Sequence, residues 1–199
     1  MLKFIKKKRR VKMINYTVLL PILLIYILVT GAVCFVKKNG LHVYLCNVAF
    51  GIYICFLLKV AFFPIPIQNE AVVGLRNASL EYNFIPLHSI FNILSENKAF
   101  PEIILLQILG NFVMLFPVGV YLPIIFRRCR SAKFMFLILL SIGIIVETTQ
   151  HILNIMVGFH YRSVDIDDVI LNTLGGMLGY LVHKFVILIY NPVKQQEKQ

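Results

Sequence analysis

The sequence predicts an all-α fold, a polytopic bundle of about five membrane-spanning helices. Of the 199 residues, 59% are hydrophobic and 15% are charged, and the mean hydropathy is +0.81. A typical soluble domain has about 45–50% apolar and about 25% charged residues, so this chain is too apolar to dissolve as a compact domain. The second observation is that several apolar runs are long enough to cross a bilayer core of about 30 Å. We therefore expect residues 1–199 to form a single membrane domain.

Residues 1–40 are predicted to hold a basic head and one extra helix. Seven Lys and Arg residues lie within positions 1–13, and an apolar run follows over 14–36. A secretory signal would have a shorter apolar core and would end in a small-residue cleavage site. The pattern therefore favours an uncleaved membrane-spanning helix.

Four further spans are predicted, and polar residues or prolines separate them. They cover residues 41–63, 102–126, 134–156 and 168–190. Pro117 and Gly119 should interrupt the third span, because proline removes a helix hydrogen bond. The polar segment 64–101 is predicted to fold back on the membrane face, with a short helix at 88–95.

The net charge of +11 is expected to act at the membrane surface, because no soluble domain is left to bind nucleic acid. Beyond the basic head, nine Lys and Arg residues fall on the side of the 127–133 loop and three on the other side. The positive-inside rule then makes that loop cytoplasmic, although the basic head falls on the opposite side. The four cysteines show no metal-ligand spacing, and neither a metal nor a cofactor is expected.

Polar side chains follow one face of each of the last two spans. In the fourth span they lie at offsets 0, 3, 4 and 7, which share a helical face: Glu147, Gln150, His151 and Asn154. In the fifth span they form a stripe spaced 3, 4, 3 and 4: Asp165, Asp168, Asn172, Gly175 and Gly179. Because a short loop joins the two spans, their acidic ends should meet at the same membrane surface.

Each of these polar groups has a structural and a functional interpretation. Glu147 and Gln150 either hydrogen-bond between helices or contact a ligand or proton, since ionisable groups inside a membrane are functional candidates. Arg162 either forms a salt bridge with Asp165 and Asp168 or holds a phosphate or carboxylate in its planar fork. Asp165 also suits a helix N-cap.

The remaining candidates are mainly structural. Asn111 and Asn172 are expected to hydrogen-bond to each other across helices, with ligand contact as the alternative. Gly175, Gly176 and Gly179 should permit close helix packing. A metal site built from His151, His160 and the acids is disfavoured, because no metal-binding motif is present.

The order and spacing of these residues resemble the VanZ-like family. The matching motifs are Asn111-x4-Phe116-Pro117-x-Gly119, Glu147-x2-Gln150 and Arg162-x2-Asp165-x2-Asp168-x3-Asn172-x2-Gly175-x3-Gly179. The segment 83–87 is similar to a family loop motif. The resemblance covers residues 47–187 and leaves the first span as an addition to a four-helix core. It implies a multi-pass protein of the bacterial cell membrane, in a family whose name-giving member is associated with teicoplanin resistance.

Three functions fit this sequence. We favour a non-enzymatic envelope protein that binds membrane lipid, a cell-wall precursor or a glycopeptide at the outer face. The alternatives are an intramembrane enzyme that acts on a lipid-linked substrate through Glu147, Asp165 and Asp168, and a small transporter or flippase. A homo-oligomer is left open. The predicted ligand-binding residues are Glu147, Gln150, Arg162, Asp165, Asp168, Asn172 and Asn111, and the predicted structural residues are Pro117, Gly119, Gly175, Gly176 and Gly179.

Overall fold

The fold is a set of long apolar helices. The computed structural model describes residues 13–67, 82–89, 91, 101–159 and 161–196. Within these residues, five helical stretches are long and apolar enough to cross a membrane: Tyr16–Val36, Leu41–Phe62, Ile108–Ile125, Ala132–Val157 and Ile166–Ile189. Many of their large apolar side chains lie on the surface of the chain, as expected for helices that face lipid. The predicted all-α bundle with about five spans is confirmed.

The chain forms two compact units, and the first contains residues 13–67 and 150–163. A 3-10 turn, Tyr16–Val18, leads into α1 (Leu19–Val36), and α2 (Leu41–Phe62) packs against α1. The Tyr26 hydroxyl donates a hydrogen bond to the Asn47 carbonyl at 3.2 Å and ties the two helices together.

Two short strands close this first unit. Strand β1 (Met13–Ile14) pairs antiparallel with β2 (Ile65–Pro66), which follows the end of α2. Lys59, in the last turn of α2, lies over the Tyr16 ring at 4.3 Å from its centroid, a favourable cation–π contact.

The second unit contains residues 82–149 and the chain from Val164 onward. Its helices are α3 (Pro101–Met114), α4 (Phe116–Ile125), the first 18 residues of α5 (Ala132–Val157) and α6 (Ile166–Gln196). A 3-10 turn, Arg127–Arg130, joins α4 to α5. Strand β3 (Tyr82–Asn83) pairs in parallel with β4 (Val164–Asp165), directly before α6.

The third span is interrupted as predicted. The break falls at Leu115, between α3 and α4, and Pro117 occupies the first turn of α4. At that position the missing amide hydrogen would have had no partner inside the helix, so the proline costs no hydrogen bond.

Glycines allow α6 to lie directly against α3 and α4. A Cβ atom on Gly175 would collide with the Phe112 carbonyl, and one on Gly179 would collide with the Phe116 carbonyl. A Cβ on Gly119 of α4 would meet the carbonyl of Gly176. At these three positions the helix backbones approach each other too closely for a larger side chain.

The helix directions follow from the same contacts. Along α6, Asp168 contacts Asn111, Gly175 lies against Phe112 and Gly179 lies against Phe116. The third span, α3 followed by α4, therefore runs parallel to α6. Helix α5 is antiparallel, because Gly143 lies against Val169 and Leu139 lies against Gly176. The 127–130 turn and the start of α6 therefore lie at opposite ends of this unit.

Several boundaries differ from the prediction. The first helix, predicted from residue 14, begins at Leu19 after strand β1 and the 3-10 turn. Helix α6 begins at Ile166 rather than 168 and extends to Gln196 rather than 190. The early start follows from the cap at Asp165. Of the short helix predicted at 88–95, helical backbone is present at His88–Ser89 and Phe91, and the other positions lie outside the described residues.

Candidate functional site

The start of α6 is fixed by its own acidic residues. Asp165 accepts a hydrogen bond from the Asp167 amide at 2.9 Å and so acts as the N-cap of the helix. Glu147 on α5 accepts a hydrogen bond from the Asp165 amide at 3.1 Å. Both carboxylates are buried, with 6% of Asp165 and 7% of Glu147 exposed. The predicted meeting of the two acidic ends is thus realised by a side chain-to-backbone bond.

The 82–89 segment is held against this helix start. The Asn83 side chain donates hydrogen bonds to Asp165 at 2.8 Å and to the Ser89 hydroxyl at 2.9 Å. The two carboxylate oxygens of Asp167 accept the backbone amides of Leu87 and Ser89. Asp167 is only 1% exposed, so it acts as a buried anchor for this segment.

The expected bond between Asn111 and Asn172 is not formed. Asn111 on α3 donates its amide to the Asp168 carboxylate instead. A charged acceptor makes a hydrogen bond roughly twice as strong as a neutral amide does, and this explains why Asn111 bonds to Asp168 rather than to Asn172. Asn172, one turn further along α6, is fully buried, and neither its side-chain oxygen nor its nitrogen has a partner in the described part of the chain.

Glu147, Asp165 and Asp168 bring three carboxyl groups together where α6 begins. The Asp165 amide bonds to Glu147, and Asp168 lies one turn further along α6. Within the described residues, none of the three forms an ion pair with a lysine or arginine. We call these three residues the acidic cluster.

Two oxygens of the acidic cluster are available to a ligand. Over the described segments, Glu147 Oε1 and Asp168 Oδ2 accept no hydrogen bond, and neither atom is fully enclosed. The same segments contain no group of three His, Cys, Asp or Glu residues arranged to hold a metal ion. The arrangement suits a hydrogen-bond donor or an ammonium group.

Gln150 and Arg162 belong to the first unit, where they cap α2. Gln150 donates to the Ala61 carbonyl at 3.0 Å, and Arg162 donates to the Phe63 carbonyl at 2.8 Å. The last carbonyls of a helix lack partners within the helix, and Pro64 cannot donate a backbone hydrogen bond to any of them. Gln150 is 9% exposed, and its side-chain oxygen has no partner in the described part of the chain.

Two neighbouring residues complete this cap. The Tyr161 hydroxyl donates to the Phe62 carbonyl at 3.3 Å. Asn154 donates to the Arg162 carbonyl at 2.8 Å and accepts the Tyr161 and Arg162 amides, each at 3.2 Å. Burial raises the pKa of the Tyr161 hydroxyl above its ordinary value, and the adjacent Arg162 charge lowers it in part. The hydroxyl therefore stays protonated and acts as a donor.

Sequence reasoning missed the role of Asp167. Its partners Leu87 and Ser89 are 80 and 78 residues away along the chain, and no helical period connects them. The available signal was indirect. Asp167 stands in the first turn of a helix, off the predicted stripe, next to Asp168 and two residues after Asp165.

Comparison with known protein families finds one family whose model matches the chain. The model of one family, VanZ/LLP1, matches residues 50–188, which include α3 to α5 and most of α6. No curated protein and no solved structure matches the chain. The match covers the greater part of the chain and includes the whole acidic cluster, and the chain therefore belongs to the VanZ/LLP1 family.

Proposed function

We propose that this VanZ/LLP1 protein of the bacterial cell membrane binds a lipid, a cell-wall precursor or a glycopeptide at the extracytoplasmic face and thereby contributes to teicoplanin resistance. The observation that carries the proposal is the acidic cluster with its two available oxygens, Glu147 Oε1 and Asp168 Oδ2. Charged groups near a membrane span are costly to insert and are functional candidates by default.

The chemistry of the acidic cluster indicates the kind of ligand. An ammonium group could donate hydrogen bonds to the two carboxyl oxygens that no protein donor occupies, Glu147 Oε1 and Asp168 Oδ2. Sugar or lipid hydroxyls could donate to the same oxygens.

The 82–89 segment gives this site a rigid wall. Its bonds to Asp165 and Asp167 fix the backbone beside the acidic cluster, so little conformational entropy is lost when a ligand binds. A preorganised polar site of this kind favours specific binding over general attraction to cations.

Drug susceptibility of a sensitive bacterial host tests the proposal. Expression of the wild-type chain should raise the inhibitory concentration of teicoplanin, and Asp168→Asn or Glu147→Gln should remove most of that rise. Losing one charge-assisted hydrogen bond weakens binding by about tenfold or more. Ser141→Ala is the control and should keep the wild-type level of resistance. Ser141 is an exposed residue of α5, the helix that carries Glu147, and its hydroxyl bonds only to the Leu137 carbonyl of that helix.

Membrane amounts of each variant are compared by a C-terminal tag. If the wild-type chain leaves teicoplanin susceptibility equal to that of the empty vector, the resistance role is wrong. If the Asp168→Asn and Glu147→Gln variants protect as well as wild type, the acidic cluster is not the binding site.

An intramembrane enzyme acting on a lipid-linked substrate is the second candidate. It is favoured by the same pair, Glu147 and Asp168, each of which retains a carboxylate oxygen that could accept or deliver a proton. Purified protein separates the two candidates. A binding site should keep part of its affinity in Asp168→Asn, whereas an enzyme using that carboxylate should lose nearly all turnover while still binding substrate.

A further inference from the structure

The end of the second unit opposite the acidic cluster is basic and contains a cavity. The 3-10 turn Arg127–Arg130 lies at this end, and the Tyr180 hydroxyl of α6 donates to the Arg130 carbonyl at 2.7 Å. Tyr180 is about 20 Å along α6 from Asp165, at about 1.5 Å per residue. This region is therefore separate from the site proposed above and independent of it.

The cavity has a volume of about 580 Å³, within the usual range of about 300–1,000 Å³ for ligand pockets. Its lining residues are Arg130, Tyr180, His183, Lys184, Ile187 and Leu188. Two of them carry positive charges, and none is acidic. His183 is 8% exposed, and its Nε2 atom is buried without a hydrogen-bond partner among the described residues. The ring of His183 therefore forms part of the wall of this cavity, while its Nε2 atom is enclosed by the protein.

The two cations are held in position. Arg130 Nε donates to the Pro123 carbonyl at 3.2 Å, which orients the guanidinium and leaves its terminal nitrogens available. Lys184 Nζ lies 5.2 Å from the centroid of the Tyr180 ring. A guanidinium fork beside an ammonium group is the donor set that suits a phosphate.

The rest of the lining is apolar. Ile187 is 39% exposed and Leu188 is 69% exposed, one turn beyond Lys184 on the same helical face. Both belong to the membrane span Ile166–Ile189. Inorganic phosphate would leave these side chains uncovered, whereas an acyl chain attached to the phosphate would cover them.

We propose that the cavity lined by Arg130, His183 and Lys184 binds the phosphate of an anionic phospholipid, with an acyl chain lying along Ile187 and Leu188. The headgroup phosphate accepts hydrogen bonds from the Arg130 fork and the Lys184 ammonium. The His183 ring forms part of the surrounding wall.

Native mass spectrometry of the full chain in neutral detergent tests this assignment. The probes are phosphatidylglycerol and phosphatidylcholine with identical acyl chains. We expect phosphatidylglycerol to bind more tightly, and Lys184→Gln to weaken it about tenfold, the effect of one charge-assisted hydrogen bond. Lys133→Gln is the matched control, because it removes one exposed positive charge from the same end of the chain without touching the cavity, and it should change binding less than about twofold.

Two further measurements decide the ligand. Arg130→Gln, at an exposed position of the same cavity, should also weaken phosphatidylglycerol binding. Inorganic phosphate should not displace the lipid at equal concentration. The proposal is overturned if the two lipids bind equally, if Lys133→Gln weakens binding as much as Lys184→Gln, or if inorganic phosphate competes as well as the lipid.

Discussion

Three acids within four residues perform different tasks at the start of α6. Asp165 caps the helix, Asp167 anchors the 82–89 segment, and Asp168 accepts the Asn111 amide and retains one available oxygen. The difference arises from direction, because successive helical residues point about 100° apart and so meet different neighbours. The position of each aspartate along the chain therefore decides whether its carboxylate is used within the protein or stays available to a ligand.

Asp167→Asn should destabilise the protein by about 1–3 kcal/mol, the cost of leaving a buried donor unpaired. The amide can still accept one of the two backbone hydrogens, but its NH₂ group would point at the other donor. Thermal unfolding in detergent measures the loss. Asp168→Asn is the matched comparison and should cost less, because an asparagine can still accept the Asn111 amide. Equal losses in both variants would contradict this division of roles.

The sequence predicted the cap at Asp165 because a cap is local and its pattern repeats in all helices. The partner that the sequence predicted for Asn111, Asn172, was wrong. Helical spacing shows which residues share a face of one helix, but it does not show how two helices align with each other. The register between α3 and α6 is set by glycine contacts such as Gly175 against Phe112, which depend on the whole packed unit.

At the scale of elements, α6 organises the second unit. One of its faces is acidic at the N-terminal end and carries glycines in the middle, where it lies against backbone carbonyls of α3 and α4. The spans themselves were predictable, since apolar runs of this length can satisfy their backbone only as helices inside a bilayer. The extension of α6 to Gln196 was missed, because polar residues beyond a span carry no hydropathy signal.

Gly175→Ala should disrupt this packing. The new methyl group would meet the Phe112 carbonyl, a backbone atom that cannot rotate away, so the cost should be about 1–3 kcal/mol from overpacking. Gly110→Ala is the matched control, because a Cβ at Gly110 of α3 meets no atom within 4 Å and alanine is the better helix former. Unfolding followed by circular dichroism should show destabilisation by the first change and none by the second. Destabilisation of similar size in both would contradict the close-contact explanation.

At the scale of the whole molecule, charge is unevenly distributed along the helices. Within the second unit, the acidic cluster lies where α6 begins, and the Arg127–Arg130 turn lies at the other end. Helix α5 spans 26 residues, about 39 Å at about 1.5 Å per residue, enough to place its two ends on opposite sides of a bilayer. The positive-inside rule then predicts a cytoplasmic 127–133 loop and an extracytoplasmic acidic cluster.

Cysteine labelling should reveal this orientation directly. In a background with alanine at the four native cysteine positions, Ser163→Cys reports the end of α5 near the acidic residues, and Ser131→Cys reports the basic end. Ser131 is exposed and Ser163 is half-buried, so both positions are partly open to reagent. We expect a membrane-impermeant maleimide to label position 163 in intact cells and position 131 only after lysis.

The two positions control for each other, because they flank the same span and a leaky membrane would label both in intact cells. Labelling after lysis shows that each introduced thiol is reachable. In the reverse pattern, position 131 would be labelled in intact cells and position 163 only after lysis. That result would place the acidic cluster in the cytoplasm. A glycopeptide or external wall precursor could not reach it there, so the proposed function would fail while a substrate of the cytoplasmic leaflet would become the expectation. The proposed phospholipid binding would hold in either orientation, because it depends on contacts with a phosphate and an acyl chain and not on the side of the membrane.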